Sequence, residues 1–322
     1  MDIKLTKADR IILKSLAYNS RILEKELAKR CSLSKDSIRY RTKRLEKLGV
    51  IKGYGVFIDY TSLGYQPYKL YLKLNATNQQ KEGLIAFLKK QRHVFSIFES
   101  YGTWDIGTAI FAKDRMDYYT FETQLLSEFG SIINSKHFCL MLDAVIFNNN
   151  LLYEDKNITE YSFWKSEHIE TIDEKDKLLL HELHKDSTTN LVKLSRKAHL
   201  SIDSVSKRIR RLNDKKIISF YPTTIDYNLL GYEKYKLFIS VKNYSVEAER
   251  KLFAFLKTQK QTLNIIRIIG SWKLEVEFLI REYAELYNLL SALQEKFSDN
   301  ILKLEFSIFR NELWFPSEHL LL

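Results

Sequence analysis

A repeated run of cations is the chemistry this sequence displays most openly. Lys35, Arg39, Tyr40, Lys43 and Arg44 follow one another at near-helical spacing, with Arg41 between them, and Lys207, Arg208, Arg210 and Arg211 form a second such group. At 3.6 residues per turn this spacing lines one flank of a helix with ammonium and guanidinium groups. Those donors suit phosphate oxygens and the edges of guanine. Other candidates are weaker. His181 and His184 stand at i and i+3 around Glu182, but this is not the HExxH zinc pattern and no third ligand is evident. No Walker-type loop, dinucleotide fingerprint or nucleophile elbow occurs. Cys31 and Cys139 are too few for a disulfide framework or a metal set and read as small apolar residues. No catalytic residue, cofactor or metal is therefore expected.

The cations need a helix held in place. Ser34 and Ser201 are suited to N-cap it, with Asp36 and Asp203 on the positive end of its dipole. Ile38, Thr42 and Leu45, or Val205, Ile209 and Leu212, form the buried face. Gly49 ends the first copy where a left-handed residue is required. A shorter helix over Glu24–Arg30 precedes it across a tight turn, and short β-rich segments follow, Val50–Asp59 and Ile217–Asp226. Two helices around a turn with trailing strands make a winged helix-turn-helix, the strands forming a wing hairpin. The candidate DNA contacts are Ser34, Lys35, Ser37, Arg39, Tyr40 and Lys43, and in the second copy Ser201, Ser204, Ser206, Lys207 and Arg210, near base edges. Arg41, Arg44, Arg208 and Arg211 are expected mainly on phosphates.

The whole plan occurs twice. Asp9 and Asp176, Arg41 and Arg208, and Gly64 and Gly231 are each 167 residues apart (176 − 9 = 167), so the chain is an internal duplication. After each winged domain the pattern reads strand, helix, strand, strand, helix, strand, the order of a ferredoxin-like plait. The expected fold is α+β, with winged domains over 1–64 and 172–231, ferredoxin-like domains over 65–150 and 232–322, and a connector at 151–171 in which Phe163 and Trp164 pack on something. The two plaits should pair through their uncovered faces into an intramolecular pseudo-dimer, and further self-association is open. The formal charge of +11 suits a polyanionic partner. The charged start and the absence of a long apolar run point to a cytoplasmic protein without a membrane span.

The run Leu33–Ser34, Ser37, Arg41, Arg44–Leu45–Glu46, Gly49–Val50–Ile51–Lys52–Gly53–Tyr54, Ile58–Asp59 and Leu63–Gly64 resembles the hallmark of the Lrp/AsnC family of transcription regulators. The second copy is eroded, with Lys216 in the place of the helix-ending glycine and Phe220 in that of Gly53. The resemblance implies a winged helix-turn-helix followed by an effector (RAM-type) domain, binding to double-stranded DNA, and a small-molecule effector such as an amino acid. That effector would sit near the turn between the second and third effector strands, at Gly102, Trp104 and Asp105. At the matching place in the second copy Lys273 would repel a ligand ammonium. The same layout also resembles siroheme decarboxylases, which implies a tetrapyrrole enzyme as the alternative, with His93 and His137 the histidines of the first effector half. A third reading is a non-catalytic interaction protein with a decayed DNA-binding surface.

Overall fold

The computed structural model describes residues 3–147, 151–153, 160–164 and 168–314. The first winged domain comprises α1 (Lys7–Leu16), α2 (Glu24–Cys31), α3 (Lys35–Lys47), β1 (Ile51–Tyr54) and β2 (Phe57–Ile58). The first plait follows as β3 (Gln66–Leu74), α4 (Asn78–Lys90), β4 (Val94–Gly102), β5 (Ile106–Ala112), α5 (Arg115–Phe129) and β6 (Ile133–Phe147). The connector contributes β7 (Glu160–Phe163). The second winged domain has α6 (Glu174–Lys185), α7 (Leu191–Ala198), α8 (Ile202–Asp214), β8 (Ile218–Phe220) and β9 (Thr223–Ile225). The second plait has β10 (Glu233–Val241), α9 (Val246–Thr258), β11 (Thr262–Ile269), β12 (Leu274–Ile280), α10 (Tyr283–Lys296) and β13 (Ile301–Trp314). None of the helices among the described residues is long and apolar enough to cross a membrane.

Local signals set the helix ends. Thr6 and Asp173 each form a capping box with the aspartate three residues on, Asp9 and Asp176. Ser32 and His199 adopt left-handed backbone, φ 54° and 51°, at the turn between the two helices of each motif. Gly49 and Lys216 do the same after α3 and α8, at φ 74° and 56°. Lys216 therefore keeps the geometry that its Cβ opposes.

The two plaits form one closed structure. Their sheets run β4-β5-β3-β6 and β11-β12-β10-β13; β13 pairs with β4 and β6 with β11, so eight strands close into a ring, with β7 added outside β6. The faces bare of helices become the interior, as two half-covered sheets require. β6 begins at Ile133 and β13 runs on to Trp314, each longer than its apolar stretch, because these strands make the seams.

The wing departs from the sequence expectation. β1 does not turn back on β2. Instead β1 pairs with β9 and β2 with β8, each strand on a partner from the other module. Backbone bonds from Asp59 N–H to Ile217 O and from Asp226 N–H to Val50 O repeat the crossing in both directions, at 2.9 Å each. The alternation of these short segments satisfies either pairing equally, and the proximity of the two winged domains decides it. Phe220 in the place of Gly53 then has a reason. It stacks on Phe57 across the β2–β8 pair, centroids 4.9 Å apart, whereas Gly53 faces Thr224. The cores cross too. The α1–α3 helices bury Ile12, Leu13, Leu16 and Leu45 with Leu230, Leu263 and Leu279 of the second module. The α6–α8 helices bury Leu179, Leu183 and Leu212 with Tyr60, Phe95 and Phe111 of the first, and Phe163 and Trp164 of the connector fill that same core.

Candidate DNA interface

The recognition helices are positioned by their apolar faces. Ile38 and Leu45 of α3, and Val205, Ile209 and Leu212 of α8, are buried. Ser34 Oγ accepts the Ser37 N–H and Ser201 Oγ the Ser204 N–H, both at 3.1 Å, so both serines cap as expected. That orientation exposes Lys35, Arg39, Tyr40 and Lys43 on α3, and Ile202, Lys207 and Arg210 on α8, while Ser37, Ser204 and Ser206 are half-buried. Tyr40 is 70% exposed.

Not all of these cations face solvent alone. Arg39 pairs with Glu24 at 2.7 Å and Asp36 at 3.3 Å, and the Glu24 carboxylate raises its pKa. Lys207 pairs with Asp203 at 2.8 Å. Lys43 and Arg210 make no ion pair among the described residues.

Four arginines have a task that the sequence reading missed. Arg41 lies 3.0 Å and Arg44 3.6 Å from the carboxylate of Asp9, which is fully buried at the start of α1. Arg208 reaches Asp176 at 2.9 Å and Asp173 at 2.8 Å, and Arg211 bonds Asp176. These pairs tie the recognition helix to the first helix of its own domain. Burial pushes the Asp9 carboxyl up, but the Thr6 backbone and hydroxyl and then Arg41 outweigh it, and its pKa ends lowered. The Asp173 carboxyl is lowered by the Asp176 N–H first and by Arg208. The signal was present in the sequence as T-x-x-D and D-x-x-D ahead of an apolar helix; the partner arginines, 32 residues on, carry no local mark.

The two heads also touch. Ser20 and Ser187, equivalent by the repeat, share a hydrogen bond of 2.6 Å between their hydroxyls, and Arg21 donates to the Ser187 carbonyl. Residues on the pseudo-twofold axis thereby link the winged domains directly.

The turn at Gly102, Trp104 and Asp105 is brought to a seam. Gly102 has φ 120°, and a Cβ there would sit 2.5 Å from the Phe306 carbonyl oxygen of the other module. Asp105 accepts from Lys73 Nζ at 3.0 Å and from the Leu74 N–H at 2.8 Å. The Trp104 indole N–H is buried and has no hydrogen-bond partner among the described residues. The two histidines of the first effector half are engaged: His93 bonds Asp117 at 2.7 Å, and the His137 ring lies tilted against Trp272 with centroids 4.1 Å apart. Cys139 is buried as expected, Cys31 only partly. No cluster of three metal-ligating side chains occurs among the described residues.

Residues 5–52 match a winged helix-turn-helix DNA-binding family, and residues 172–213 match the AsnC-type helix-turn-helix domain. An uncharacterised HTH-type transcriptional regulator of Pyrococcus furiosus is 29% identical over 132 residues, 41% of this chain and 88% of that protein. The HTH-type transcriptional regulator LrpA of Pyrococcus horikoshii is 30% identical over 116 residues, 35% of this chain and 79% of that one. A single-module relative thus spans less than half of the duplicated chain. Among solved structures, the siroheme decarboxylase NirDL superposes with a TM-score of 0.64 at 9% identity, covering 95% of this chain and 92% of that one. At such identity the likeness concerns the fold alone.

Proposed function

This chain belongs to the Lrp/AsnC family of helix-turn-helix transcription regulators, and from that premise we propose that it binds double-stranded DNA sequence-specifically through two unlike heads, α3 on one half-site and α8 on another. The observation that carries this reading is the divergence of the exposed side chains on two helices that share one framework. Lys35 corresponds to Ile202, Arg39 to Ser206 and Tyr40 to Lys207, whereas the cap and the bracing arginines are kept. Arg and Lys favour guanine edges, each good contact being worth about 1–3 kcal/mol of discrimination. The half-sites should lie about one helical turn or a multiple apart. Binding-site selection from random DNA, run with the full chain and with Lys35→Ile, tests this. We expect a consensus with unlike halves, of which the substitution alters one. A palindromic consensus, two halves that change together, or no enrichment would refute the proposal.

Arg44 and Arg211, whose side chains are 39% and 41% exposed, can brace Asp9 and Asp176 and still offer a donor to phosphate; Arg41 and Arg208, at 29% and 27%, are more fully committed to bracing. An amino-acid effector at Gly102, Trp104 and Asp105 would have to displace Lys73 from Asp105, so its ammonium competes with a cation already in place. Thermal-shift titration with an amino-acid panel, repeated on Asp105→Asn, tests that site.

The tetrapyrrole alternative is supported by the whole-chain likeness in fold. Against it, the rings of Tyr71, Trp104, Phe238 and Trp272 pack on one another between the sheets, and both His93 and His137 have partners within the protein. Visible absorption of the purified chain after addition of siroheme separates the readings: a bound, shifted spectrum would favour the enzyme.

A further inference from the structure

The duplicated halves differ where they meet. Inside the ring, Lys69 of β3 and Lys236 of β10 hold the same place in the two copies, 236 − 69 = 167. Both are buried, 4% and 2% exposed. One strand of the second sheet neutralises both. Glu275 bonds Lys69 and lies 3.6 Å from Lys236, and Glu277 lies 2.9 Å from Lys236. The Trp272 indole donates to Glu275 at 3.1 Å and the Asn264 amide to Glu277 at 2.8 Å.

Strand register identifies the counterparts of these carboxylates. β12 sets Glu275 opposite Phe238 and Glu277 opposite Lys236, while β5 sets Gly107 opposite Tyr71 and Ala109 opposite Lys69. The first sheet therefore carries the interior lysine and neither carboxylate. It has no room for one at 107, where a Cβ would lie 1.8 Å from the Phe98 ring.

The seams repeat the asymmetry. Where β6 meets β11, Arg267 faces Asp143 and binds it with two bonds, 2.8 and 2.7 Å; at the matching place where β4 meets β13, Glu99 faces Asn311. Glu99 is held by Lys81 of its own half at 3.3 Å, and Arg310 stands 4.0 Å away. The winged strands show the same complementarity in size, with Phe57 against Phe220 on one side and Gly53 against Thr224 on the other.

We infer that these positions form a pairing code, which makes the first half accept the second half and reject a second copy of itself. Two first halves would bury both copies of Lys69 without a carboxylate and set Glu99 against Asp143 at each seam. Two second halves would face each interior lysine with two carboxylates and set Arg267 against Asn311. Buried unpaired charge and like charges directly opposite each other both disfavour such pairs. Selectivity of this kind comes from the repulsive element as much as from the attractive one. The consequence is that the two unlike heads always occur in one unit.

The test uses the folded chain with a protease site placed between Tyr153 and Glu160, cut after folding. The cut complex is unfolded in urea, refolded and examined by native mass spectrometry. The repulsion at a wrong charge juxtaposition predicts that like pairs stay under roughly a tenth of the total. The statistical mixture of like and unlike pairs would overturn the code. Should the halves not reassemble, the uncut chain still decides. Arg267→Asp should lower the melting temperature, and adding Asp143→Arg should recover at least half of the loss. A double variant no more stable than the single one would equally overturn the proposal.

Discussion

Lys216 is constrained in its backbone and Asp9 in its charge, and each supports a prediction. Lys216 keeps φ 56° where the first copy has glycine. A side chain in left-handed backbone costs about 1–2 kcal/mol, against which glycine loses somewhat more chain entropy on folding. Lys216→Gly should therefore stabilise the protein by about 1 kcal/mol, seen as a higher urea midpoint with unchanged slope. Asp9 is the linchpin between α1 and α3. Its folded pKa lies below the unfolded value of about 3.9. The carboxylate thus contributes stability in full above that value and loses it as pH falls through the folded pKa. Asp9→Asn should cost about 3 kcal/mol at pH 7, the bottom of the range for breaking a buried pair, because Arg41 is partly exposed. In acid, once pH has fallen below the folded pKa, the variant and the parent should converge. A gap of the same size at both pH values would show that the charge is not what matters.

At the scale of the element, the recognition helices divide their cations between bracing and reach. Lys43 and Arg210 are exposed and have no ion pair among the described residues, so they are the cleanest probes of phosphate contact. If about six phosphates are neutralised, log affinity should fall with log salt with a slope of roughly −5. Lys43→Ala with Arg210→Ala should weaken binding to every sequence alike and flatten that slope by about two. Fluorescence anisotropy across a salt series measures it. Arg41 and Arg208 would make poor probes, because their loss also loosens the helix they sit on. The crossed strands add a second element-level feature. β1 with β9 and β2 with β8 tie each head to the other module, so a substitution in one wing acts on both heads.

The whole molecule is a dimer's architecture written into one chain. A closed eight-stranded ring holds the two plaits, the serine pair at Ser20 and Ser187 marks the axis between the heads, and the connector strand β7 caps one side. A homodimer presents the same residues twice and reads a palindrome. Fusion releases each half to change, and the changes on α3 and α8 are matched by those at the seams. Unlike half-sites and the exclusion of like pairs are therefore linked expectations with separate tests. DNA selection checks the first and reassembly of the cut chain the second.

Much of this was legible from the sequence. Capping residues, the buried faces Ile38–Leu45 and Val205–Leu212, the order of strands and helices and the 167-residue repeat all follow from short-range periodicity. Short-range contacts leave their mark on neighbouring residues. The exposed flank of α3, with Lys35, Tyr40 and Lys43, was predictable for the same reason. Only the tertiary structure decided which strand each wing segment joins. Ile51 meets Ile225 across 174 residues, 225 − 51 = 174, and an alternating pattern fits a hairpin as well as a crossing. It also decided that Arg41 serves Asp9 before any phosphate, that Lys69 is buried on a carboxylate of the other module, and that the Phe220 of an eroded motif is the stacking partner of Phe57. In each case the physical cause is a partner distant in the chain, brought close by the closure of the ring and the meeting of the heads, and neither residue of the pair signals the other locally.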